Sequence, residues 1–249
     1  MKRILLSAAM LVALSASAQS TRFTKFISTS AESIDTEAVQ SDKAFLTRTL
    51  YQGYNTICLP FALTAEEFAS TFGEMARLEK PVGAMVENGE FTLYFSDCTN
   101  EGMEAGIPYL IKSDALKYVR ISNSTGSSVS MPASVTFGDG NGNVATFKGS
   151  FERLQPVGTW AIPAVQGEVP ADLICCDGAR TLNPTRCFFT WDAQQGASKM
   201  AIRHIATGDV VTGINAATIN GSEATFNIAG QRVKNAHGLI IKGGKTVIR

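Results

Sequence analysis

The sequence predicts a mainly β protein: a β-sandwich-like domain with one short helix, followed by a small C-terminal β module. Three observations carry this. Short stretches rich in Val, Ile, Thr and Phe recur along the chain, glycine or asparagine clusters separate most of them, and one stretch alone combines helical spacing with helix-end signals. β-Branched and aromatic side chains suit a pleated surface, and Gly and Asn accept the backbone angles of tight turns. Many short strands with turn signals at this spacing suit a sandwich or barrel-like domain.

The chain opens with Lys2 and Arg3, an apolar run from Ile4 to Ala13, and the small residues Ala16-Ser17-Ala18 before Gln19. That order predicts a secretory signal over residues 1–18. The run covers ten residues, against roughly twenty for a membrane-spanning helix. No Cys follows it to carry a lipid, and no later segment is long and apolar enough to span a bilayer. The expectation is an exported chain with no transmembrane span, extracellular or on the outer-membrane surface, with the periplasm as the alternative.

Residues 19–43 read as a polar, Ser/Thr-rich leader without period. The main β domain is expected over 44–212, opening with AFLTRTL and YNTICLPF around the turn-like Gln52-Gly53 and interrupted at Pro60. The helix follows. Thr64 is suited to the N-cap, Glu67 completes a capping box, and Leu63 with Phe68 occupies the two positions of a hydrophobic staple. Phe68 and Phe72 share a face, and Gly73 is a natural stop. Beyond it VGAMVE and EFTLYFS flank Asn88-Gly89, a strong hairpin signal. Further strands are expected at IPYLIK, YVRISN, SVSMPASVTF, VATFKGSF, TWAIPAV, DLICC, RCFFTW and KMAIRHI. Residues 213–249 read as a separate module: FNIAGQRV, HGLIIK and KTVIR, with Gly243-Gly244 as the last turn.

Lys plus Arg and Asp plus Glu both number 22, so the chain carries no formal charge. Nucleic acid binding needs a clustered basic surface, and this balance gives no reason to expect it or a polybasic membrane patch. The five cysteines are Cys58, Cys98, Cys175, Cys176 and Cys187. An odd number leaves at least one thiol unpaired or paired between chains. Adjacent Cys175 and Cys176 are poorly placed to bond each other. The pairing stays open, Cys58–Cys98 being one option, and the simpler reading is that several are small buried apolar residues.

In order along the chain, YNTICLPFALTAEEFASTFG, GIPYLIK, TFKGSFERL and LNPTRCFFTW resemble a family of exported Bacteroidota proteins (Bacteroides and Prevotella relatives) with "WNTLCLPF", "G-x-PYLIK" and "FRAYF" segments. The ending FNIAGQRV…HGLIIKGGKTVIR is similar to "YNLNGQRV…GIYI-x-NGKKV" tails, which look like short relatives of type IX secretion sorting domains. This chain departs from the pattern at Tyr54 (usually Trp), Thr185 and Cys187 (a Phe and an Ala of "FRAYF") and Ile240 (usually Tyr). The resemblance implies an exported or surface-associated β protein and transfers no catalytic residue.

Several chemistries can be tested on the residues themselves. The two histidines are His204 and His237, and no GxSxG elbow is present. His204, in the alternating run KMAIRHI, reads as a strand side chain facing solvent or a neighbouring strand rather than as the base of a Cys187 thiol peptidase. Asp139, Asn141 and Asn143 fall at alternate positions, but Val144 and Ser150 stand where a calcium loop needs Gly and Glu, so a hairpin connection fits better. Glu66 and Glu67 suit a helix start, while Glu101 and Glu104 precede Gly106 in a loop. No metal-ligand spacing, phosphate loop or dinucleotide fingerprint appears, so no cofactor is expected.

Aromatic rings that stack on sugars leave Trp160, Trp191, Tyr54 and Tyr109 as candidate ligand-binding residues, with core packing as the competing role for each. The leading functional expectation is a non-catalytic exported protein in adhesion, assembly or binding of a surface glycan or protein. The alternative is an extracellular hydrolase acting on polysaccharide or protein.

Overall fold

The computed structural model describes residues 25–28, 32–34, 36, 44–123, 129–163, 173–192, 199–206 and 213–220, and the strand segments 226–227, 239–242 and 245–248. The signal segment, most of the leader and His237 lie outside the described residues.

The chain forms β1 (Lys25–Ile27), β2 (Ala44–Leu50), β3 (Gly53–Cys58), α1 (Ala65–Phe72), β4 (Arg77–Glu87) and β5 (Glu90–Asp97). It continues through β6 (Pro108–Ser113), β7 (Lys117–Ser122), β8 (Ser134–Gly138), β9 (Val144–Ser150), β10 (Trp160–Ala161) and β11 (Ile174–Cys175). It ends with β12 (Arg186–Asp192), β13 (Lys199–Ile205), β14 (Asn215–Ala216), β15 (Thr218–Asn220), β16 (Phe226–Asn227), β17 (Leu239–Lys242) and β18 (Lys245–Ile248).

The strands make a sandwich-like arrangement of curled sheets, as the turn spacing predicts. One sheet runs β13-β5-β4-β6-β3, with β14 also on β4, and the facing one runs β11-β10-β12-β9-β8-β15. Phenylalanine joins the two. Phe95 of β5 meets Phe137 and Phe147 at 5.6 Å and Phe189 at 6.4 Å, and Phe147 stacks on Phe189 at 4.4 Å. All four rings are fully buried, so each contributes both apolar area and ring–ring contact to the inter-sheet layer. A third sheet, β1-β2-β7, buries Leu46, Leu50, Val119 and Ile121.

Local chemistry fixes the details. At α1 the Thr64 hydroxyl accepts from the Glu67 N–H at 3.2 Å and the Glu67 carboxylate accepts from the Thr64 N–H at 2.8 Å, so the capping box closes as expected. Gly73 ends the helix at φ +91°. Asn88 and Gly89 both take positive φ (51° and 77°) between β4 and β5, the turn whose twist matches its strands. The Asp139 carboxylate accepts from the Asn141 N–H, the Asn143 N–H and the Asn143 side-chain amide at 2.7–3.0 Å, which makes this segment the β8–β9 hairpin connection. Burial opposes its ionisation, but those bonds prevail and hold its carboxyl below the usual range.

Four features differ from the sequence expectation: of the expected strand SVSMPASVTF the ladder keeps β8 from Ser134, of TWAIPAV it keeps the two residues of β10, and the other two concern β4 and the C-terminal boundary. β4 begins at Arg77, five residues before the expected VGAMVE, with a bulge between Pro81 and Gly83 that admits the proline. Residues 215–220, expected in the C-terminal module, pair into the main sheets: β14 on β4 and β15 on β8. The separate sheet, β16-β17-β18, starts at Phe226.

All five cysteines are free thiols. Cys58, Cys98 and Cys187 are buried, Cys176 is half-buried and Cys175 is exposed. Burial is the largest influence pushing Cys98 and Cys187 up to about 12, so both stay protonated and act as small apolar groups. Cys58 packs against Gly149, where an added Cβ would sit 2.4 Å from its sulfur.

Candidate functional site

Two polar centres stand out, one on each large sheet. The first lies on the curled β13-β5-β4-β6-β3 sheet. Its edge strands contribute His204 (β13) and Tyr54 (β3), whose rings stack at 3.8 Å and 7°. Side chains from opposite edges can meet only because the sheet curls, and they meet over Glu79 of the central strand β4. Glu79 Oε2 lies 2.5 Å from His204 Nδ1, and Glu79 Oε1 accepts from the Tyr54 hydroxyl at 3.0 Å. The Glu79 side chain is 8 % exposed and that of His204 32 %. Lys112 Nζ lies 5.5 Å from the centre of the Tyr54 ring, within cation–π range. Burial, then the charge and hydrogen bond of Glu79, push the Tyr54 phenol well above its ordinary value, so it remains a donor. The buried carboxylate thus has a donor on each oxygen, the arrangement a charge taken out of water requires. Bonding through Nδ1 holds the imidazole in a fixed orientation, as a catalytic histidine needs.

The second centre is a cleft at the β10–β11 end of the other sheet, with a volume of ≈ 200 Å³. Register explains its position. Trp160 pairs with the buried Phe189, so it faces the inter-sheet layer, and strand alternation turns Ala161 and Arg186 to the outer face. Pro156, Ala161, Ile162, Pro163, Ile174 and Leu182 supply apolar walls, and Cys176, Arg180, Thr181, Asn183 and Arg186 supply polar groups.

Arg186 is the unusual member. It is half-buried, and its guanidinium makes no hydrogen bond or ion pair with any described residue, the groups in electrostatic reach that favour its charge being the Tyr51 phenol and the Cys187 thiol. Burial lowers its basicity, yet a guanidinium remains charged at neutral pH. The residue before it, Thr185, is fully buried and left-handed at φ +68°, a genuine outlier for a β-branched residue. Buried Arg48 pins it: the Arg48 guanidinium donates to the Thr185 carbonyl and to the Thr56 carbonyl, each at 2.8 Å. The Cys58 N–H donates to that same Thr185 carbonyl at 2.9 Å, and the Thr185 N–H donates to the Ser150 carbonyl at 2.7 Å. Burial first, and then the charge of Arg186, bring Arg48 down to about 9. Two like charges therefore sit within electrostatic reach of each other behind the cleft.

The four aromatic candidates do not converge on one surface. Tyr54 belongs to the Glu79 centre. Trp160 and Trp191 meet edge to face at 5.9 Å, and Trp191 stacks on Phe91 at 6.4 Å, both half-buried against the core. The Trp191 indole N–H is buried without an acceptor among the described residues. Tyr109 is 4 % exposed and its hydroxyl oxygen accepts from the Glu104 N–H at 3.1 Å. Glu101 forms an exposed ion pair with Lys80 at 2.5 Å. Sequence reading did not single out Glu79, Arg180 or Arg186; the signal available for Arg186 was a cation opening an apolar strand directly after Pro184-Thr185.

No protein-family model, curated protein or solved structure matches this chain.

Proposed function

We propose that the chain is exported and serves as a non-catalytic, surface-associated binding protein that takes a glycan or protein ligand at the β10–β11 cleft. The observation that carries this reading is the cleft itself, where apolar walls and a few convergent polar groups line a concavity of ≈ 200 Å³, the general character of a binding site. The N-terminal order of charge, apolar run and small residues supports export, and the tail from Phe226 supports a secretion address. Saturable binding on glycan and protein arrays, lost when Thr181→Trp fills the cleft, is the expected result. Binding unaffected by Thr181→Trp removes the cleft from the account. Truncation tests the address: loss of residues 221–249 strands the protein in the periplasm and spares β14 and β15, and unchanged export contradicts it.

A second reading, an extracellular hydrolase, is favoured by one observation, the 2.5 Å contact between Glu79 and His204. It requires His204 to act as an acid or base. Hydrolysis of a polysaccharide or protein substrate, abolished by His204→Ala, supports it; turnover retained in that variant sinks it.

A further inference from the structure

We infer that the β10–β11 cleft receives a carboxylate carried on a compact apolar body, with Arg186 as its principal anchor and Arg180 as a second cation at the rim. This rests on the cleft being the binding site and names the chemistry of what enters it.

A charge removed from water is ordinarily paired or hydrogen-bonded. Arg48, which is fully buried, meets this in part with two carbonyl acceptors at 2.8 Å, its Nε having none. Arg186 has neither kind of partner, and it lines a concave space. Among the described residues no carboxylate lines that space. The nearby Asp177 is exposed, and its Oδ1 accepts from the Ala179 N–H at 2.8 Å within its own turn. The positive potential is reinforced by Arg180 in front and Arg48 behind. Thr185 holds a strained backbone immediately before Arg186, and strain of this kind persists only where the surroundings over-determine it. The surroundings here are Arg48, Cys58 and Ser150, all bonded to the Thr185 backbone.

The site therefore lacks only the anion. A guanidinium presents parallel N–H donors that match a carboxylate in a bidentate fork. The apolar walls select an organic anion over a bare inorganic one. A volume of ≈ 200 Å³ falls below the roughly 300–1,000 Å³ of drug-sized sites, which limits the occupant to one ring or one chain end.

Calorimetric titration of the mature chain with cyclohexanecarboxylate, cyclohexanecarboxamide and inorganic phosphate tests this. The first two share a shape and differ in charge; the third carries charge without an apolar body. The carboxylate should bind about tenfold or more tighter than either. Arg186→Gln should remove about tenfold of that affinity and leave the amide within about twofold. Arg180→Gln, at an exposed position where the fold is indifferent to the change, should cost about threefold through the weaker rim charge. Equal affinity for carboxylate and amide overturns the anionic assignment while leaving the cleft as a binding site. Phosphate binding as tightly as the carboxylate overturns the apolar selection, and no binding of the carboxylate or the amide overturns the cleft reading as well.

Discussion

The Glu79 centre buries a formal charge and the Arg186 cleft half-buries one, and they treat it in opposite ways. Glu79 is 8 % exposed and has a donor on each oxygen, from Tyr54 at 3.0 Å and His204 at 2.5 Å. Arg186 is backed by the buried cation Arg48 and a strained Thr185, and its guanidinium has no hydrogen-bond or ion-pair partner among the described residues. A completed network joins three strands and specifies how the sheet curls. An incomplete one costs stability in the free protein and is recovered by whatever supplies the missing charge. The difference separates architecture from recognition inside one fold.

Substitutions should fall on either side of that divide. Glu79→Ala strips the acceptor from two donors and is expected to lower unfolding free energy by about 2 kcal/mol, read from urea denaturation; unchanged stability means the network is ornamental. His204→Phe keeps a ring over Tyr54 and loses the bond, so a loss of about 1 kcal/mol is expected. Thr185→Gly relieves a left-handed conformation worth about 1–2 kcal/mol while sacrificing a buried side chain, so its net cost should stay below about 0.5 kcal/mol. The same change at Thr56, a β3 residue outside the left-handed region whose hydroxyl also bonds the Cys187 backbone in both directions, should cost about 3 kcal/mol. Equal costs at the two positions would show that Thr185 stores no strain.

The pH dependence of the core contributes nothing near neutrality and shows only in alkali. Cys98 and Cys187 are held up to about 12 in the folded chain, burial being the main cause, whereas unfolded thiols ionise near 9. Between those limits the folded state binds more protons, so stability falls as pH rises. Denaturation midpoints should therefore decline more steeply above pH 9 in the unsubstituted protein than in a Cys98→Ala, Cys187→Ala variant, since Arg48, lowered to about 9, contributes the opposite slope to both. In native protein at pH 8 the exposed Cys175 should react with a thiol reagent, while Cys58, Cys98 and Cys187 wait for unfolding. Rapid labelling of all five thiols would contradict the burial that sets those values.

How much of this was legible in the sequence depends on the range of the interactions involved. α1 and the β4–β5 hairpin were readable because their determinants are local: Thr64 and Glu67 are three residues apart, and Asn88-Gly89 needs only its own angles. The sandwich was readable because Phe95, Phe137, Phe147 and Phe189 fall in alternating strands. The polar centres were not. Glu79 meets His204 across 125 residues and Arg48 meets Thr185 across 137, and nothing local distinguishes Glu79 from a solvated strand charge. Tyr54 was singled out for its ring, yet its position is set by the carboxylate beneath it. The boundary at Gly213 missed β14 and β15 because two- and three-residue strands carry too little pattern to reveal which sheet they join.

The contrast between the centres reduces to the sign of one number. Urea denaturation of Arg186→Met at pH 7, without added anions, compares an uncompensated guanidinium with an apolar chain of similar reach. A midpoint above that of the unsubstituted protein is predicted, since the change removes a charge that the free protein leaves unpaired. A midpoint below it would mean that Arg186 already has its partner within the chain, and the cleft would then be part of the architecture.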